Sequence, residues 1–97
     1  MIMEHKKIKI GKKTVEAVLF PLTGKNLIVL RGSRGYVMCG YLNTRSAEKF
    51  KDVAVKITGI STIGDALRTT VTSCTSQARK LGIHKGQNIK DVLKIIA

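Results

Sequence analysis

Tyr36-Val37-Met38-Cys39-Gly40-Tyr41-Leu42-Asn43-Thr44-Arg45-Ser46-Ala47-Glu48-Lys49-Phe50 is the stretch in which the hydrophobic period of the chain changes. Tyr36 to Tyr41 is nearly continuous apolar chain, as a covered strand is. Asn43 is a favoured N-cap, and Leu42 and Ala47 stand at the two positions of a hydrophobic staple. Beyond it Ala47, Phe50, Ala54 and Ile57 recur at helical spacing, which predicts a helix running on to Gly59.

Upstream of this switch the chain reads as strands. Residues 6–10 (KKIKI) alternate as an edge strand does. Gly11-Lys12-Lys13 reads as a turn, and residues 14–20 (TVEAVLF) as a second strand. Pro21 marks a strand end or loop. Thr23-Gly24-Lys25-Asn26 reads as another turn, followed by an apolar strand over Leu27 to Leu30. Short connections between four such strands favour antiparallel pairing.

Downstream it reads as helices. Thr62 with Asp65 three residues later predicts a short capped helix over Ile63 to Leu67. Residues 68–72 are a weak strand candidate. Cys74, Ala78 and Leu81 would share a face of a third helix, closed by Gly82 and Ile83 in a Schellman-like ending. Asn88 with Asp91 predicts a last capped helix, with Ile89, Val92, Leu93 and Ile96 facing the core.

Strands first and helices afterwards predict an α+β domain. The expected fold is a two-layer sandwich: a mostly antiparallel sheet of four or five strands, with three to four helices packed on one face. Its core should include Leu27, Val29, Val37, Phe50, Ala54, Leu81 and Leu93. The 97 residues suffice for one domain, and 43% apolar with 25% charged residues argues for a folded chain. The first thirteen residues lack a signal-peptide stretch and no apolar run reaches membrane length, so a soluble, cytoplasmic protein is expected.

Eighteen Lys and Arg against six Asp and Glu give a net charge of +12. Such a domain attracts polyanions, although a Lys-rich solvated surface explains the same number. The aromatic–basic interleaving of base-stacking modules is missing. Two cysteines exclude a disulfide-dense scaffold, and the Cys and His positions share no metal-ligand spacing, so no metal or cofactor is expected. Cys39 ends an apolar strand shortly before a helix start. It reads either as a buried small residue or as an activated thiol, and neither His5 nor His84 is placed beside it by the sequence. Cys74 reads as structural. Gly32-Ser33-Arg34-Gly35 is a basic glycine loop, either an anion cradle or a plain turn. The segment from Gly40 to Asn43 feeds a helix N-terminus, where an anion or ordinary self-capping by Asn43 is expected. The candidate ligand residues are therefore Cys39, Gly40, Asn43 and Arg34.

The run from Arg31 to Asn43, with Ala47-Glu48-Lys49-Phe50, Thr58-Gly59-Ile60, and Leu81-Gly82-Ile83 followed by Gly86, resembles the YunC-like family of small prokaryotic domains of unknown function. The resemblance spans nearly the whole chain in order. It implies a two-layer α/β sandwich and supplies no activity, cofactor or catalytic residue. The function expected is a small binding or interaction domain acting as a homo-oligomer, most simply a dimer, rather than an enzyme. The alternatives are polyanion or RNA binding through the basic surface, and a thiol-dependent enzyme using Cys39.

Overall fold

The computed structural model describes residues 3–97. Strand β1 (Glu4–Ile10) pairs antiparallel with β2 (Lys13–Leu22) across Gly11-Lys12, with Gly11 at φ 63°. Strand β3 (Lys25–Arg31) returns along β2 across Thr23-Gly24, with Gly24 at φ 75°. Both turns need the left-handed backbone that glycine adopts without steric cost. Strand β4 (Tyr36–Met38) then pairs antiparallel with β3. It is shorter than expected: Cys39 lies just past its end, and Gly40 and Tyr41 form a turn.

Asn43 caps helix α1 (Thr44–Lys49), its side-chain oxygen accepting from the Ser46 N–H at 3.2 Å. The helix does not continue to Gly59. Phe50 ends it, Lys51 takes a left-handed φ of 58°, and β5 (Ala54–Lys56) forms parallel to β4. The helical spacing of Ala47, Phe50, Ala54 and Ile57 coincides with a second pattern. Val53, Val55 and Ile57 alternate and are β-branched, and they suit a strand better. Burying Val55 and Ile57 within the sheet outweighs the helical pattern, and Phe50 is left 76% exposed.

Helix α2 (Ile63–Arg68) opens with a reciprocal capping box between Thr62 and Asp65. Of the candidate strand at 68–72, only Thr70 makes a bridge, to Asn88; β6 (Ser73–Cys74) comes next, antiparallel to β5. Cys74 therefore sits on a strand and not on the third helix. Helix α3 (Ser76–Lys80) is capped by Thr75. It ends in a Schellman motif: the Ile83 N–H donates to the Ala78 carbonyl and the Gly82 N–H to Arg79, with Gly82 at φ 93°. Helix α4 (Ile89–Ile96) follows Asn88, whose side chain makes no capping bond, contrary to expectation.

The sheet has six strands in the order β1-β2-β3-β4-β5-β6, not four or five. The two that sequence patterning missed are β5 and β6. Val15, Ala17, Leu19, Ile28, Leu30, Val37 and Val55 form one core with residues of α2, α3 and α4, including Ala66, Ala78, Val92, Leu93 and Ile96. Leu42, Ala47 and Ala54 form a second cluster with Tyr36 and Met38, which alternate with Val37 and so lie on the other side of the sheet. Along β3 the fully buried residues are Ile28 and Leu30, while Leu27 and Val29 are half-buried on the opposite face. Leu81 is also only half-buried; Val37, Ala54 and Leu93 are buried as expected. Among the described residues, no helix is long and apolar enough to cross a membrane.

Candidate functional site

Two adjacent parallel strands place the loops that follow them side by side. The loop after β4 and the loop after β5 open beside the β2–β3 turn. Together they line a cavity of about 370 Å³ made of Gly24, Lys25, Asn26, Cys39, Gly40, Tyr41, Thr58, Gly59, Ile60 and Ser61. The walls are tied together. Asn26 Nδ2 donates to the Ser61 carbonyl at 2.9 Å, and the Cys39 N–H donates to the Ile28 carbonyl at 3.1 Å. The Leu42 N–H closes the turn on the Cys39 carbonyl at 3.0 Å. Beyond Ser61, the Asp65 carboxylate accepts from the Ser61 and Thr62 N–H groups. The Ser61 bond first, aided by Thr62 and Arg68, holds its pKa below the ordinary value.

Of the residues singled out in the sequence, Cys39 and Gly40 line this cavity. Cys39 is 5% exposed, with its Sγ 3.9 Å from the Asn26 carbonyl. Asn43 is used as the α1 cap. Arg34 lies beyond the other end of β4, where its N–H donates to the Ile96 carbonyl. The cavity thus brings together two of the four. Thr58 and Ser61 follow the Ala54–Ile57 segment, whose helical spacing hides the loop after it, whereas Lys25 stands in a turn that is legible in the sequence but carries no ligand signal of its own.

Neither histidine lines the cavity beside Cys39. His5 Nε2 is 3.2 Å from Glu16 Oε2, and His84 Nδ1 is 3.1 Å from the Lys85 carbonyl in its own loop. Among the described residues, no group of three or more His, Cys, Asp or Glu could hold a metal ion.

The other surface feature is the sheet face turned away from α2, α3 and α4. Register places Val18 opposite Val29 and Val29 opposite Met38; Phe20 lies opposite Leu27. Phe20 is 49% exposed, and Val18, Leu27, Val29 and Met38 are half-buried. Beside them Glu16 is flanked by His5 and Arg31, each at 3.2 Å. The His5 hydrogen bond, then the Arg31 charge, keep the Glu16 carboxyl below its ordinary pKa.

The sequence matches the model of a domain of unknown function, DUF1805, over residues 38–96. The structure is similar to the crystal structure of TA1206, a protein of unknown function from Thermoplasma acidophilum, at 33% identity and a TM-score of 0.94. That similarity covers 99% of this chain and 94% of the other. Comparison with curated proteins finds no match. The family match covers both loops that follow the parallel strands, and the structural match extends through the N-terminal hairpin. The chain belongs to the DUF1805 family, for which no activity is established.

Proposed function

We propose that the chain is a small binding domain, rather than an enzyme, that works as a homodimer through the exposed face of β2 and β3. We also read the YunC-like resemblance as this same family membership. The observation that carries the dimer is the apolar group of Val18, Phe20, Leu27 and Val29, paired across two strands on the face that α2, α3 and α4 leave free. Apolar side chains gathered this way mark association surfaces. A second copy is the occupant favoured by the apolar pairing. The chain carries +12, and beside this patch Glu16 pairs with His5 and Arg31 while Lys7 stands opposite it on β1, so a twofold contact there rests on the apolar side chains and on screening of the surrounding charge. Edge-to-edge strand addition is less favourable, because Lys6, Lys7 and Lys9 stand along β1. Phe20→Glu puts two carboxylates into the contact and should yield a folded monomer by light scattering while the wild type is a dimer. A wild-type monomer, or a dimer indifferent to Phe20→Glu, would contradict this.

Polyanion binding is a second reading, supported by Lys6, Lys7, Lys9, Lys12 and Lys13 along the first hairpin. It requires affinity for a nucleic acid that falls steeply as salt is raised. The thiol-enzyme reading has less support, since no imidazole or carboxylate lines the cavity with Cys39.

A further inference from the structure

We infer that the cavity between the three loops is a binding site for the oxyanion of a small molecule, a phosphate or carboxylate group. Four features converge there. Among the described residues, Lys25 is the one charged residue of the lining, and no carboxylate contributes to it. Ser61 and Tyr41 bring hydroxyl groups, while the Thr58 hydroxyl is engaged by Thr72 at 3.1 Å and its methyl faces Gly40. The backbone N–H groups of Gly40, Tyr41, Thr58, Gly59 and Ile60 find no acceptor among the described residues. Main-chain donors in adjoining turns are the usual means of holding an oxyanion, because they are fixed in place before the ligand arrives. The volume is at the lower end of the range for small-molecule pockets, which suits a compact ligand and not a polymer.

The walls are also held without a ligand. The Asn26 bond to the Ser61 carbonyl fixes the β2–β3 turn against the loop after β5. Little ordering then remains to oppose binding. Gly40 leaves the space open: a Cβ built there meets only the Thr58 methyl, at 3.9 Å, and its φ is not left-handed. A larger side chain at Gly40 would project into the site without backbone strain. This site differs from the basic first hairpin in kind, since it offers directed donors and a bounded volume rather than charge alone. It also does not depend on self-association.

The test is a titration of the full chain with inorganic phosphate and, separately, with acetate, followed by amide NMR at constant ionic strength. The expected result is saturable shifts concentrated at Gly40, Tyr41, Thr58, Gly59 and Ile60 for at least one of the two anions, which also distinguishes phosphate from carboxylate. Lys25→Gln should weaken that binding several-fold, and Gly40→Leu should abolish it. If Gly40→Leu does not fold, Gly40→Ala serves in its place and should weaken binding. Shifts spread over Lys6, Lys7, Lys9, Lys12 and Lys13 instead, no saturable shift with either anion, or binding unchanged in the Lys25 and Gly40 variants would overturn the assignment.

Discussion

Thr75 is completely buried, and its hydroxyl oxygen serves three backbone partners. It accepts from the Ala54 N–H at 3.1 Å and the Ala78 N–H at 3.3 Å, and donates to the Asp52 carbonyl at 2.7 Å. One side chain thereby caps α3 and completes the start of β5. Thr75→Val preserves shape but strands the buried Ala54 N–H, and should cost about 1–3 kcal/mol in a denaturant titration. Phe50 is the opposite case. It looks like a core aromatic by spacing but is exposed, so Phe50→Ala should change stability by no more than about 0.5 kcal/mol. Cys39 and Cys74 are both buried free thiols. Both should alkylate slowly in the native protein and rapidly once it is unfolded; rapid native labelling of Cys39 would bring the thiol-enzyme reading forward. Tyr36 donates its phenol O–H to Asp52 Oδ2 at 2.9 Å, and burial, the hydrogen bond and the Asp52 charge push its pKa up to about 12. The folded state holds this proton more tightly than the unfolded chain. The resulting stability is complete below the ordinary phenol pKa of about 10 and is lost as pH rises through about 12. Ultraviolet titration of Tyr36 in a Tyr41→Phe background should place its ionisation there.

Among the elements, α1 buries little apolar surface, with Ala47 as its buried residue. It is held instead by Glu48, whose Oε1 accepts from the Ser76 N–H at 2.7 Å and the Ser76 hydroxyl at 2.9 Å. The Ser76 backbone bond, then its hydroxyl, lower the Glu48 pKa. A lowered carboxyl pKa stabilises the fold above the unfolded value of about 4.3, and this contribution is lost as pH falls through the folded pKa. The protection of α1 amides, relative to their intrinsic exchange rates, should therefore fall in acid before that of the sheet, and Glu48→Gln should flatten that dependence. The contrast with α2 and α4 explains what sequence patterning can and cannot show. Thr62 and Asp65 cap α2 through local bonds, and Ile89, Val92, Leu93 and Ile96 bury as one stripe, so both are written in short-range spacing. Strand β5 is not. Its three residues form a strand because β4 lies beside them after a crossover, a non-local partner that no window of sequence contains. That miss concealed half of the cavity: Cys39 and Gly40 were visible as candidates, while Thr58 and Ser61 required the parallel pair to be recognised. The burial of Ile28 and Leu30 instead of Leu27 and Val29 has a similar cause, since a continuous apolar strand leaves its register to its neighbours.

At the scale of the whole molecule, two opposing effects bear on the proposed dimer. Net charge of +12 repels copies of the chain, whereas the apolar face of β2 and β3 favours their contact. At physiological salt the Debye length is about 8 Å, so charges around the rim are largely screened. Apolar burial, at roughly 25 cal/mol per Å², is not screened. Association should therefore persist or strengthen as salt is raised, the reverse of the polyanion reading, in which binding weakens. Sedimentation equilibrium of the wild-type chain at micromolar concentration, in low and then high salt, separates these effects directly. The expected result is a dimer mass in high salt that is no smaller than in low salt; a monomer mass throughout, or a dimer that dissociates as salt is added, would contradict self-association through the apolar sheet face.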